Sequence, residues 1–126
     1  LTAHLNADRI GGEVCDPLGR DMHAEFGRSG QTAIIEMANA SGLRLLKKNE
    51  LYPLQASSYG TGQQIVQAIA AGAQKILVAM GGSATVDGGI GILHALGLEL
   101  LDEKGNDKEP SAPTPTLAEL ALFLRA

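Results

Sequence analysis

Residues 76–97, ILVAMGGSATVDGGIGILHALG, constrain the fold more than any other stretch of this chain. The run from Lys75 to Met80, apolar after its first residue, reads as a buried parallel strand. Ile90, Leu93 and Leu96, with Ala95 between them, have helical spacing and stop at Gly97. Between strand and helix lie Gly81, Gly82, Gly88 and Gly89, with Gly91 just beyond. Glycine loses more backbone entropy on folding than other residues, so this density implies a compensating use. Close approach of the backbone to a ligand is one such use.

A strand, a glycine loop and a helix make an anion-binding arrangement, because the first helical turn carries unpaired N–H donors and the positive end of the helix dipole. Gly81, Gly82, Gly88 and Gly89 would let main-chain donors reach a phosphate or carboxylate, and Ser83 and Thr85 would add hydroxyls. Asp87 repels an anion, so its expected role is to accept a proton from an attacking hydroxyl or to hold Mg2+. A plainer reading makes the glycines a tight connection and Asp87 the N-cap of the following helix. No lysine stands between Lys75 and Lys104 to complete a GxxxxGK[ST] loop. The GxGxxG pattern begun by Gly89 and Gly91 is broken by His94, which disfavours a nicotinamide-binding oxidoreductase. A second cluster, SSYGTG at 57–62, precedes a helix with Ile65, Val66 and Ile69 on one face and Gly72 at its end. Ser57, Ser58 and Thr61 are candidate contacts to the same ligand, with Thr61 alternatively capping that helix. In a parallel α/β sheet such entries gather at one edge.

Residues 10–27 read as two strands around a turn at Pro17–Gly19, and residues 32–38 as a buried strand entering a short helix that stops at Gly42. Residues 47–59 read as a loop, 98–102 as a further strand, and 109–126 as a connector followed by an amphipathic helix. Residues 1–108 are therefore expected to be α/β, with a mixed, partly parallel sheet and flanking helices. The 126 residues, 44% hydrophobic, suffice for one core. A net charge of -4 argues against nucleic-acid or membrane-surface partners, and 3% aromatic residues leave little on which bases could stack. No apolar run approaches the roughly 18 residues of a membrane span. Cys15 is the single cysteine, which excludes an intramolecular disulfide and points to a reduced, cytoplasmic compartment. His4, His23 and His94 lack metal-ligand spacing. Met22, Met37 and Met80 read as core filler, Arg20 as an exposed turn residue, and Glu36 and Asn39 as residues that hold loops. An apolar face on residues 117–126 leads to an expectation of homo-oligomers.

DPLGR (16–20), IEMANASGL (35–43), YGTG (59–62) and GGSATVDGGIGILHALG (81–97) occur in the same order in bacterial glycerate kinases of the glycerate kinase I type, and over about residues 12–107 the chain resembles that family. The resemblance implies a two-domain α/β enzyme with its active site in the interdomain cleft, using ATP and Mg2+ to phosphorylate D-glycerate. It implies that Asp87 is catalytic or a Mg2+ ligand, and that Gly81, Gly82, Ser83, Thr85, Gly88 and Gly89 contact phosphate or substrate. Family members begin with a strand and an APDSFK-like loop and later carry DGGEGT-like and ITGEGR-like loops. None of these is present here, so the chain looks like the central portion of that fold. The family usually has Glu where this chain has Gln63. A non-catalytic ligand-binding or assembly domain that retains the glycine loop is the alternative.

Overall fold

The computed structural model describes residues 7–99, 101 and 104–105. A four-stranded sheet in the order β1-β2-β3-β4 carries the chain. Strands β1 (Asp8–Cys15) and β2 (Asp21–Ser29) form an antiparallel hairpin whose register runs from Asp8 opposite Arg28 to Cys15 opposite Asp21. Strand β3 (Thr32–Glu36) pairs antiparallel with the end of β2 through Gly27, Arg28 and Ser29. Helix α1 (Ala38–Ser41), two 3-10 turns (Leu43–Leu45 and Lys48–Glu50) and helix α2 (Tyr59–Ala70) then lead to β4 (Lys75–Ala79), which lies parallel to β3. Helix α3 (Ile90–Ala95) follows the glycine loop. The mixed, partly parallel sheet is the architecture expected from the sequence.

The hairpin turn is organised by Asp16. Its carboxylate accepts the Leu18 and Arg20 amides at 2.9 and 3.0 Å and the Arg20 Nε at 2.6 Å, while Gly19 takes φ +85. The buried Pro17 carbonyl accepts the Ser57 amide at 2.8 Å, so the turn is docked on the entry to α2. Arg20 also donates to Glu50 at 2.7 Å. Both carboxylate partners keep this guanidinium employed within the fold.

Helix α2 departs from the amphipathic pattern read from sequence. Its buried residues are Gly60, Thr61, Gly62, Gln64 and Ala68, with Ile65 packed on the core, whereas Val66 and Ile69 are exposed. Glycines stand at 60 and 62 because the helix runs close to neighbouring backbone there. A Cβ on Gly60 would stand 1.9 Å from the Cys15 carbonyl oxygen, and one on Gly62 would stand 2.6 Å from the Ala95 Cβ. The helix also starts earlier than expected, at Tyr59, so Gly60, Thr61 and Gly62 lie inside it and Thr61 is not its cap.

One core cluster joins Phe26, Ala33, Ile35 and Ala68, and a second joins Val14, Ala24 and Ala40. Met37 is buried and Met22 packs on the second cluster, but Met80 is 72% exposed rather than core filler. Strand β4, expected to be buried, stands at the end of the strand order, with Leu77 exposed. Leu98 and Glu99 have no regular structure and Leu101 forms an isolated bridge, so the expected strand at 98–102 does not form among the described residues. The expected connector and helix over 109–126 lie outside the described residues.

Candidate functional site

The parallel pairing puts the carboxyl ends of β3 and β4 at one end of the sheet, with Glu36 opposite Ala79. The Met37 amide donates to the Ala79 carbonyl at 2.9 Å and extends the ladder by one step. Ligands of open α/β sheets bind outside the carboxyl ends of strands. A cleft of ≈ 500 Å³ lies there, lined by Glu36, Ala38, Asn39, Leu43, Arg44, Gly81 and Gly82. The chain on either side is stitched together by backbone. The Leu43 amide donates to the Gly82 carbonyl at 2.9 Å, the Ala84 amide donates to the Ser41 carbonyl at 2.8 Å, and Gly42 bridges Ser83.

The far half of the glycine loop is built differently. Asp87 is 2% exposed, and its carboxylate is surrounded by donors. Oδ2 accepts the Ser58 amide and the Ser58 hydroxyl, each at 2.8 Å, and the Gly91 amide at 3.3 Å. Oδ1 accepts the Gly89 amide at 3.0 Å. The Asp87 carbonyl accepts the Ile90 amide at 3.2 Å, and the Ser58 hydroxyl accepts the Ile92 amide at 3.1 Å. Every first-turn donor of α3 is thereby used. The strand–glycine–helix arrangement does surround an anion, and that anion is the chain's own Asp87. Successive left-handed glycines, Gly88 at φ +65 and Gly89 at φ +81, turn these amides back onto the carboxylate. Gly89 is the N-cap residue of α3, so Asp87 supplies the capping acceptor from two residues upstream.

The remaining hydroxyls brace loops in the same manner. Ser83 Oγ accepts the Thr85 amide at 3.2 Å, and Thr85 Oγ1 accepts the Asp87 amide at 3.1 Å. Ser57 Oγ accepts the Tyr59 amide at 3.2 Å, and Thr61 Oγ1 shares a hydrogen bond with Ser41 Oγ at 2.8 Å. Ser57, Ser58 and Thr61 are all fully buried. The structure therefore separates the candidate residues into two sets. Gly81 and Gly82 line the cleft, whereas Ser57, Ser58, Asp87 and Gly89 meet in a buried node that joins α2 to α3. A Cβ on Gly91 would stand 2.5 Å from both Ser57 Oγ and the Tyr59 nitrogen, so only glycine lets the node close.

A carboxylate offers about four acceptor sites; at Asp87 three donors crowd Oδ2, whereas Oδ1 accepts the Gly89 amide alone. The donors around Oδ2 leave Oδ1 as the one oxygen of this residue with an acceptor position for another partner. No group of three or more His, Cys, Asp or Glu that could hold a metal occurs among the described residues. Gln63, where the resemblance leads one to expect Glu, accepts the Cys15 amide at 2.6 Å, a bond either side chain can make. Burial, followed by Asp21 and Asp16, pushes the Cys15 thiol upward and keeps it in its neutral form. Asn39 donates to the Glu25 carbonyl at 3.3 Å, which matches its expected bracing role. Arg44 had no signal in the sequence. It lies among leucines, between Leu43 and Leu45 and one residue past the IEMANASGL stretch, and only the return of residues 41–45 to the glycine loop brings it to the cleft.

Residues 1–121 match the sequence profile of the Glycerate kinase family. The chain is 47% identical over 103 residues to the "Glycerate kinase" of Halalkalibacterium halodurans, an alignment covering 80% of this chain and 27% of that protein. It is 49% identical over 96 residues to the "Glycerate 2-kinase" of Escherichia coli, covering 75% and 25%. The crystal structure of a "putative glycerate kinase 2" from Salmonella typhimurium LT2 superposes with a TM-score of 0.78 at 42% identity, over 84% of this chain and 30% of that one. The chain thus spans about a quarter of the length of the curated relatives it matches.

Proposed function

Because this chain belongs to the glycerate kinase family, we propose that it forms part of an enzyme that phosphorylates D-glycerate from ATP. The observation that carries the reading is identity of nearly one half to proteins named for this activity, over most of the chain. The cleft at the carboxyl end of the parallel pair supports it as the place for substrate.

In this reaction a glycerate hydroxyl oxygen attacks the γ-phosphorus, the bond to the ADP oxygen breaks, and the hydroxyl proton is released. Such transfer depends chiefly on positioning and charge neutralisation. Gly81 and Gly82 serve the cleft directly, and a Cβ at Gly81 would meet nothing within 4 Å, which leaves room beside the backbone for a ligand. Ser83, Thr85, Gly88 and Gly89 fix the loop's path, and Ser57, Ser58 and Thr61 fix the helix it packs on. Asp87 acts as a positioning residue that holds these pieces in register. Mg2+ enters this scheme with the nucleotide substrate, since Asp87 is 2% exposed and three of its four donors crowd one carboxylate oxygen. A cytoplasmic setting accords with a single buried, unpaired cysteine. Among the described residues no helix is long and apolar enough to cross a membrane.

A coupled assay for ADP with D-glycerate and Mg-ATP tests the proposal. A polypeptide joining this chain to the segments its relatives carry should release ADP only when both substrates are present, and the chain by itself should not. A folded longer polypeptide that binds both substrates without releasing ADP would favour the non-catalytic domain instead.

The chain by itself is also proposed to self-associate, since Val66, Ile69, Leu77, Met80, Leu93 and Leu96 are all exposed and, among the described residues, β4 has a strand neighbour on one side only. Sedimentation velocity should show a weight-average mass that rises with concentration. A constant mass near 13.1 kDa would refute this.

A further inference from the structure

We propose that Arg44 anchors the oxyanion group of the ligand in the cleft at the carboxyl ends of β3 and β4, a role that rests on the kinase reading only for the ligand's name. Among the described residues, Arg44 is the single cationic side chain lining this cleft. The other described arginines are engaged. Arg9 pairs with Glu25, Arg20 binds Asp16 and Glu50, and Arg28 donates to the Gly30 and Ala71 carbonyls. Arg44 makes no side-chain hydrogen bond or ion pair with any described residue, and it is exposed. An exposed guanidinium at the wall of a concave site, with no partner among the described residues, is available to a ligand.

Its placement is not that of a free surface side chain. Leu43–Leu45 is a 3-10 turn, and the Leu43 amide is bonded to the Gly82 carbonyl, so Arg44 is fixed relative to the glycine loop by backbone. The chain carries a net charge of -4, which gives no long-range attraction for an anion, so binding depends on a local cation. A guanidinium presents a planar fork of donors that matches a carboxylate or a phosphoryl group with two parallel hydrogen bonds. Glu36 lines the same cleft and places a carboxylate there, so the cation that offsets it locally among the lining residues is Arg44.

Isothermal titration of the full chain with D-glycerate, inorganic phosphate and ATP, each separately, tests this without requiring turnover. Arg44→Gln should weaken at least one of these by tenfold or more, and Arg44→Lys should recover part of the loss because it keeps charge without the fork. The melting temperature should not move, since no described partner is lost. Loss confined to D-glycerate identifies the carboxylate as the anchored group. Loss confined to phosphate and ATP identifies a phosphoryl group. Arg20→Gln, outside the cleft, should lower the melting temperature and leave every Kd unchanged. Unaltered Kd values in Arg44→Gln, or no binding of any probe to the unmodified chain, would overturn the assignment. The two readings fail separately. Binding that depends on Arg44 in a polypeptide that never releases ADP sinks the kinase and keeps the anchor, whereas ADP release with unchanged KM values in Arg44→Gln does the reverse.

Discussion

Asp87→Ala is expected to lower the unfolding free energy by about 3–5 kcal/mol, the cost of stripping a buried charged acceptor from its donors. The Ser58 amide and hydroxyl and the Gly89 and Gly91 amides would all lose their partner in a place where the replaced side chain is 2% exposed. Asp87→Asn should cost less, roughly 1–3 kcal/mol. Its amide oxygen can replace Oδ2 facing Ser58 and Gly91, but its NH2 group then confronts the Gly89 amide, donor against donor. Urea unfolding followed by far-UV circular dichroism reads both values from the shift of the midpoint at constant slope. A reduction of this size is a large fraction of the stability of a typical domain. If Asp87→Ala melted at the urea concentration of the parent chain, the node described above would have no energetic weight. The result also bears on activity. A fall in kcat for Asp87→Asn that comes with reduced stability marks a residue that positions others, whereas the same fall at unchanged stability would favour Asp87 as the proton acceptor anticipated from sequence.

Gly60→Ala should also destabilise, by about 3 kcal/mol. In an exposed helix the exchange would instead stabilise by up to about 1 kcal/mol, because alanine loses less backbone freedom. Here the new methyl would stand 1.9 Å from the Cys15 carbonyl oxygen and 3.1 Å from its carbon, and neither is a flexible side-chain end that could turn away. Either α2 moves off the hairpin or β1 bends, and both disturb the Ser57–Pro17 bond next to the node. Gly81→Ala provides the contrast, since the space around it is open. Its thermal midpoint should stay within a degree or two of the parent, given that surface changes rarely exceed about 0.5 kcal/mol. Equal melting temperatures for Gly60→Ala and Gly81→Ala would show that α2 does not bear on the β1 carbonyl as described.

Local chemistry was enough to read much of this molecule from its residues. The turn at Pro17–Gly19, the strands on either side of it, the strand at 32–36 entering a helix, and β4 leading into glycine and then a helix all follow from periodicity and turn residues. Each of those signals is carried by neighbours in the chain, so no long-range information was needed. The order DPLGR, IEMANASGL, YGTG and GGSATVDGGIG made the family legible as well.

What the residues do to one another was a different matter. The spacing of Ile65, Val66 and Ile69 suggested an inward face for α2, but contacts at Cys15 and Ile92 require glycine at 60 and 62, Gln64 is buried, and two of those three side chains turn outward. Strand–glycine–helix order announced an anion without saying whose, because the nearest acceptor for those amides is four residues or fewer away in sequence and becomes buried only when Ser58 closes over it. Arg44 is invisible in the sequence for the converse reason, since its significance comes entirely from a backbone bond to Gly82, 39 residues from Leu43. Sequence alone thus determined most of the elements and the family, both of which reside in local pattern. The tertiary structure decided which polar groups are consumed inside the fold and which face the cleft, because each donor bonds the acceptor that packing brings nearest.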